Sequence, residues 1–115
     1  MTLWVRNMVL YNVIISPKAY SQLEDYLAYI QYTLLNSQAA KSVWLDAKET
    51  ADELTRAAGS LKLCDNPKLK EFGYRAISFK RHNYVMLYRV EGNTAYVEAI
   101  FHQRQDYENT FSKEL

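Results

Sequence analysis

The chain has few of the residues that break up or staple a fold: three glycines, two prolines and one cysteine in 115 residues. So little glycine and proline excludes collagen-like and linker-like compositions. It also leaves no material for a phosphate-cradling glycine loop. A lone Cys64 excludes a disulfide framework and an all-cysteine zinc cage. With two histidines and no paired Cys/His spacing, no metal-ligand set is visible, and neither metal nor cofactor is expected. No uninterrupted apolar run approaches the ~20 residues that span a bilayer, so no membrane partner is expected. Residues 1–10 carry one Arg and no small-residue cleavage site, a poor match to a secretory signal. Nothing asks for an oxidising compartment, and a cytoplasmic location is the expectation.

What is present suits a single domain with a real core. The chain is 49% hydrophobic and 23% charged, and its length fits one domain of ordinary size. The ordered pattern begins just after Met8. Residues 1–8 therefore read as a short N-terminal extension and 9–115 as the domain. A formal net charge of +1 hides an asymmetry, because residues 68–104 carry seven Lys/Arg against three Asp/Glu. This basic stretch is modest, and a strong nucleic-acid binder is more one-sided. Ten tyrosines suit half-buried sheets and interfaces, since Tyr buries a ring and keeps a hydroxyl for a partner.

Periodicity divides the domain. Tyr11–Ser16 is a β-branched run and reads as a first strand. Ser16-Pro17 then signals a helix start. Tyr20, Leu23, Leu27, Ile30 and Leu34 recur at spacings of three and four, one apolar stripe of that helix. Asn36-Ser37 breaks the pattern and caps a second helix striped by Ala40, Val43, Trp44, Ala47, Ala51, Leu54 and Ala58. Gly59 stands where a left-handed C-terminal residue belongs. Two helices joined so briefly lie antiparallel. Residues 60–72 read as irregular, with Asp65-Asn66-Pro67 as a turn. The period then changes to two. Tyr74–Lys80, Tyr84–Val90 and Thr94–His102 read as strands joined by Arg81-His82-Asn83 and Glu91-Gly92-Asn93. Asp106–Lys113 reads as a short closing helix. The order is β-α-α-β-β-β(-α), and the fold class is α+β: a helical hairpin over a small, mainly antiparallel sheet.

One constellation offers chemistry. Arg75, Lys80, Arg81, His82, Arg89, His102 and Arg104 lie on or beside the three later strands. Tyr84, Tyr88, Tyr96 and Tyr107 interleave with them, and Lys68 and Lys70 can join from the preceding loop. Arg and Lys neutralise phosphates, and Tyr stacks on bases or transfers protons. The expectation is that these groups converge on the sheet face or rim that the helices leave open. Each also has a plain reading: solvent-side strand residues, polar turn residues, or anchors for the last helix. Cys64 has no evident base beside it and reads as inert.

In order and spacing these segments resemble the RelE/ParE superfamily of toxins from type II toxin–antitoxin modules. The likeness rests on Tyr11–Ser16 with Pro17, the Leu23–Ile30 and Ala39–Leu54 helices, and Tyr74-Arg75-Ala76-Ile77. It continues through Tyr84–Val90, Val97–His102 and the ending His102–Phe111, HQRQDYENTF. It covers residues 9–111 and implies the microbial RNase-like fold, with a cognate antitoxin whose C-terminal segment wraps the toxin. For function the family divides. RelE-type members cut mRNA in the ribosomal A site without a metal, the 2′-hydroxyl attacking the adjacent phosphate. ParE-type members poison DNA gyrase. By that likeness Lys80 and Arg104 match basic residues of the RelE type. Lys80, Arg81, His102, Arg104 and Tyr107 would then be the catalytic set, and Lys68, Lys70, Arg75, His82 and Arg89 would hold the substrate or target. The RelE-type C-terminal Tyr falls at Thr110-Phe111, and the Arg of the Y-R-x-x-Y strand is Val85 here. The long hairpin, the H-x-R-x-D-Y-E ending and the near-neutral charge are ParE-like. Gyrase inhibition is therefore the preferred reading, with an mRNA endoribonuclease second and a non-toxic interaction domain third.

Overall fold

A computed structural model describes residues 10–115, so the proposed extension over 1–8 lies outside the described residues. The elements are β1 (Asn12–Ile15), α1 (Pro17–Ala28), a π-helical turn (Tyr29–Thr33), α2 (Ser37–Ala57), α3 (Pro67–Glu71), β2 (Tyr74–Ser78), β3 (Tyr84–Glu91), β4 (Thr94–His102) and α4 (Tyr107–Ser112). The sheet order is β1-β4-β3-β2. β1 runs parallel to β4, and the other pairs are antiparallel.

Local chemistry sets the helix ends. Ser16 Oγ accepts from the Ala19 N–H at 3.0 Å, with Pro17 at the first helical position. Asn36 Oδ1 accepts from Ala39 N–H at 2.9 Å and opens α2. The segment expected to be irregular contains α3, because Asn66 Oδ1 accepts from both Lys68 and Leu69 N–H and Pro67 follows it. A turn signal and a helix N-cap use the same residues, and Leu69, fully buried, selects the helix.

The buried stripe is Ala19 and Leu23 of α1 and Ile30 of the π-helical turn, whereas Tyr20 and Leu34 of the expected stripe are exposed. In α2 the expected Ala40, Val43, Ala47, Leu54 and Ala58 are buried, while Trp44 is 39% exposed. Gly59 does not take the left-handed conformation, which falls to Gly73 and Gly92. A Cβ at Gly59 would meet the Tyr11 hydroxyl, the far end of a half-buried side chain that would have to move aside.

One sheet face is covered by the hairpin and part of the other by α3 and α4. The hairpin packs on Met86, Tyr88, Ala95, Val97 and Ile100. The opposite face carries Tyr74, Val85, Leu87, Ala99 and Phe101, roofed by Cys64, Leu69 and Phe111 from the α3 and α4 regions. The register slips between Leu87, opposite Ala99, and Tyr88, opposite Val97, so Glu98 is an extra residue in β4. Such a bulge re-aims a side chain.

Burial also sets reactivity here. The Cys64 thiol is pushed up to about 12, mainly by burial and further by Glu108 and Asp65. The reactive thiolate is then scarce at neutral pH. Alkylation by iodoacetamide at pH 8 should run ~10³-fold slower in the folded chain than in denaturant. Comparable rates in both states would contradict this placement.

Candidate target-binding surface

The expected single concavity does not form: α3, α4 and their loops cover part of the face that the hairpin leaves open, and what stays open is a hollow of about 390 Å³ over β1 and β4, lined by Ile14, Arg89, Tyr96 and Glu98 among others. The candidate residues are distributed instead. Lys80, Arg81, His82, His102 and Arg104 share one end of the sheet, where the β2–β3 turn meets the chain leaving β4. The Gln103 N–H donates to Asn83 O at 2.8 Å, and the Arg104 N–H donates to His102 Nδ1 at 3.1 Å. An aromatic string backs this end: Phe79 lies 5.5 Å from Tyr84, and Tyr84 lies 5.0 Å from Tyr26 and 5.2 Å from His102.

The turn is held by a residue that the composition and spacing did not single out. Asp46 on α2 is 1% exposed. Its carboxylate accepts from Lys80 N–H at 3.1 Å and Arg81 N–H at 2.9 Å, and Oδ2 lies 2.7 Å from His82 Nδ1. Burial pushes this carboxyl up, but the His82 bond and the two backbone donors outweigh it and hold it below the ordinary aspartate value. Ser42 Oγ stands 3.4 Å from His82 Nε2. Acids of α2 also meet the turn's cations, Arg81 bonding Glu49 at 2.6 Å and Lys80 lying 3.8 Å from Glu53.

The remaining candidates lie elsewhere. Arg89 is seven residues along from His82, ~20 Å at the rise of an extended strand. It stacks over Tyr96 at 4.8 Å and pairs with Glu91 and the bulged Glu98. Glu98 also accepts from the Tyr74 hydroxyl at 2.9 Å. Arg75 donates to Leu61 O at the sheet's β2 edge, and Lys68 reaches Leu115 O at 2.8 Å. Lys70 is exposed on α3. Tyr107 packs against Phe101, 6.5 Å between rings, and burial raises its hydroxyl above the ordinary value. Among the described residues, no three His, Cys, Asp or Glu side chains group to hold a metal ion. No helix among them is long and apolar enough to cross a membrane.

A groove of about 490 Å³ runs between the hairpin and β1, lined by Tyr20, Leu23, Trp44, Ala51 and Met86 among others. The N–H groups of Asn12 and Ser16 bond β4-side carbonyls, Asn93 O and Val97 O. By strand alternation Val13 and Ile15 direct theirs outward, toward the sheet's free edge.

The architecture has a solved counterpart. The chain is similar to a protein in a structure titled "Chromosomal ParDE TA system from P. aeruginosa", with a TM-score of 0.67 and 18% identity. The match covers 81% of this chain and 96% of that one. No curated protein matches in sequence. A family model for the ParE toxin of the type II toxin–antitoxin system parDE matches residues 13–107. That span holds every strand but the first residue of β1, together with the hairpin and α3, and so the chain belongs to the ParE toxin family of type II toxin–antitoxin systems.

Proposed function

We propose that this toxin arrests growth by binding DNA gyrase as a protein inhibitor, with no bond-making step of its own. The observation that carries the reading is the internal pairing of the cations an RNA-cutting enzyme would need. Lys80 and Arg81 face Glu53 and Glu49, and Arg89 faces Glu91 and Glu98. Each exposed pair is worth little in stability, yet each lowers the positive field that would gather and stabilise phosphates. Tyr107 is packed, and a raised hydroxyl makes a poor base. On this reading Lys80, Arg81, His82, His102 and Arg104 are contact residues at the target surface. Lys68, Lys70, Arg75 and Arg89 serve the fold or its rim. The partner in the module is a cognate antitoxin, and the groove beside the free edge of β1 suits one of its segments, extended or helical.

The second reading, a metal-independent endoribonuclease, draws on the shared position of His82, His102, Arg81 and Arg104 at one end of the sheet. Induced expression in bacteria separates the two. Gyrase inhibition yields filamentous cells, DNA damage and intact mRNA, and the purified chain blocks supercoiling. Arg104→Ala should then change potency by less than ~10-fold, as expected for a rim contact. Cut mRNA in intact-DNA cells, with a loss of ~10²-fold or more in Arg104→Ala, would replace the gyrase reading with the nuclease.

A further inference from the structure

Asp46, His82 and Ser42 stand in a row at the turn end of the sheet. Ser42 and Asp46 are four residues apart in α2, so their side chains share one face of that helix, one turn apart. The β2–β3 turn sets the His82 ring against that face. Asp46 Oδ2 is 2.7 Å from Nδ1, and Ser42 Oγ is 3.4 Å from Nε2. Carboxylate, imidazole and hydroxyl in this order are the parts of an activated serine, which is recognised by geometry and roles and not by chain order or fold.

The proton positions follow from the carboxylate. Asp46 is held below its ordinary value and is an anion at neutral pH, so it only accepts. Nδ1 of His82 therefore carries the proton, and in the neutral imidazole Nε2 keeps its lone pair toward Ser42 Oγ. Burial is graded in the matching way: the Asp46 side chain is 0% exposed, that of His82 27%, and Ser42 lies in solvent. Helical hydroxyls commonly bond the carbonyl one turn back. In the same helix Thr50 bonds Asp46 O and Thr55 bonds Asp52 O, whereas the Ser42 hydroxyl reaches across to another element. Its 3.4 Å bond is long, and nucleophile–base bonds are often loose before a substrate arrives.

The surroundings set the substrate class. Inside α2 the N–H groups beside Ser42 are bonded along the helix, which leaves no free backbone donor there for a developing oxyanion. Amides need that help most. Esters and thioesters with good leaving groups need it least. Ser42 and its neighbour Leu45 are exposed, so a small acyl donor can reach the hydroxyl.

We propose that Ser42 is a nucleophile that takes an acyl group from small activated esters and thioesters, with His82 as its base. Ser42 Oγ bonds the acyl carbon while its proton passes to His82 Nε2. The carbon–oxygen or carbon–sulfur bond to the leaving group then breaks, and the leaving group takes that proton. This reactivity is separate from the inhibition of gyrase, which needs no covalent step. The test treats the full chain, made by cell-free synthesis, with p-nitrophenyl acetate and locates acetyl groups by peptide mass spectrometry. Ser42 should be acetylated ~10²-fold faster than Ser21 and Ser37, two other exposed serines. That excess should vanish in concentrated urea. Ser42→Ala should keep the parent Tm and lose the fast acetylation. His82→Gln should slow acetylation of Ser42 at least ~10-fold. If His82→Gln melts well below the parent, the comparison of the three serines in the parent decides alone. Acetylation of Ser42 no faster than that of Ser21 and Ser37 would overturn the proposal. So would p-nitrophenol release that leaves Ser42 bare, or an unchanged rate at Ser42 in a folded His82→Gln chain.

Discussion

Asp46→Ala should destabilise the fold by ~2–4 kcal/mol, because it removes a buried carboxylate and leaves three part-buried donors without their acceptor. The N–H groups of Lys80 and Arg81 lose their partner, and His82 loses the carboxylate 2.7 Å away. Against a total stability of ~5–15 kcal/mol this is a large share, seen as a Tm drop of ~10–20 °C in a domain of this size. Asp46→Asn keeps the shape and should cost less, but it turns an amide N–H toward groups that are themselves donors. The pH dependence carries the same signature. The folded carboxyl titrates below its ordinary value of 3.8, so its contribution is present above that value and fades as pH falls further. The parent's stability should therefore decline in acid more steeply than that of Asp46→Asn. Equal slopes, with Asp46→Ala melting near the parent, would mean that the carboxylate does not hold the turn.

Tyr88→Ala should cost ~3–5 kcal/mol or more, and Tyr88→Phe ~1–2 kcal/mol. The ring is fully buried on the central strand β3 beneath the hairpin. Its hydroxyl donates to Ala58 O at 2.7 Å, closing a carbonyl at the end of α2. Removing the ring opens a cavity in the largest cluster of the core, and removing only the oxygen leaves one buried acceptor bare. Burial pushes the Tyr88 hydroxyl up to about 12. A raised folded value means that the stabilisation is whole below pH 10 and is lost as pH climbs toward 12. Tyr88→Phe should lose stability less steeply than the parent in alkaline chemical denaturation. A parallel alkaline slope would show that the hydroxyl ionises freely in the folded chain.

The particular residues show what a linear reading can reach. Caps are local, so Ser16-Pro17 and Asn36 mark helix starts that the structure keeps. Strand alternation is local as well, and the three-strand meander follows from it. The residues that decide the surface act across the chain. Asp46 meets its partners 34 to 36 positions away, and in the sequence it is one more acid on an exposed-looking helix. The bulge at Glu98 depends on the register between β3 and β4, which no single strand encodes. The roof over the second sheet face comes from Leu69 and Phe111, two apolar residues in short segments with too few turns for a stripe. For that reason a basic constellation that reads as convergent is divided among the turn end of the sheet, the bulge at Glu98 and the β2 edge, and Leu34, a stripe position by spacing, lies in solvent.

The parallel pairing of β1 with β4 has a consequence for when the toxin comes into being. Ser16, at the end of β1, bonds Glu98 across 82 positions, so the strand made first must wait for the strand made last. At ~5–20 residues per second this delay is ~4–16 s per nascent chain. Until then the early hairpin has no sheet beneath it. A cell thus has a short interval during each round of translation in which the newborn poison is incomplete, and a stop codon anywhere before β4 yields a chain whose β1 and β3 lack the strand that joins them.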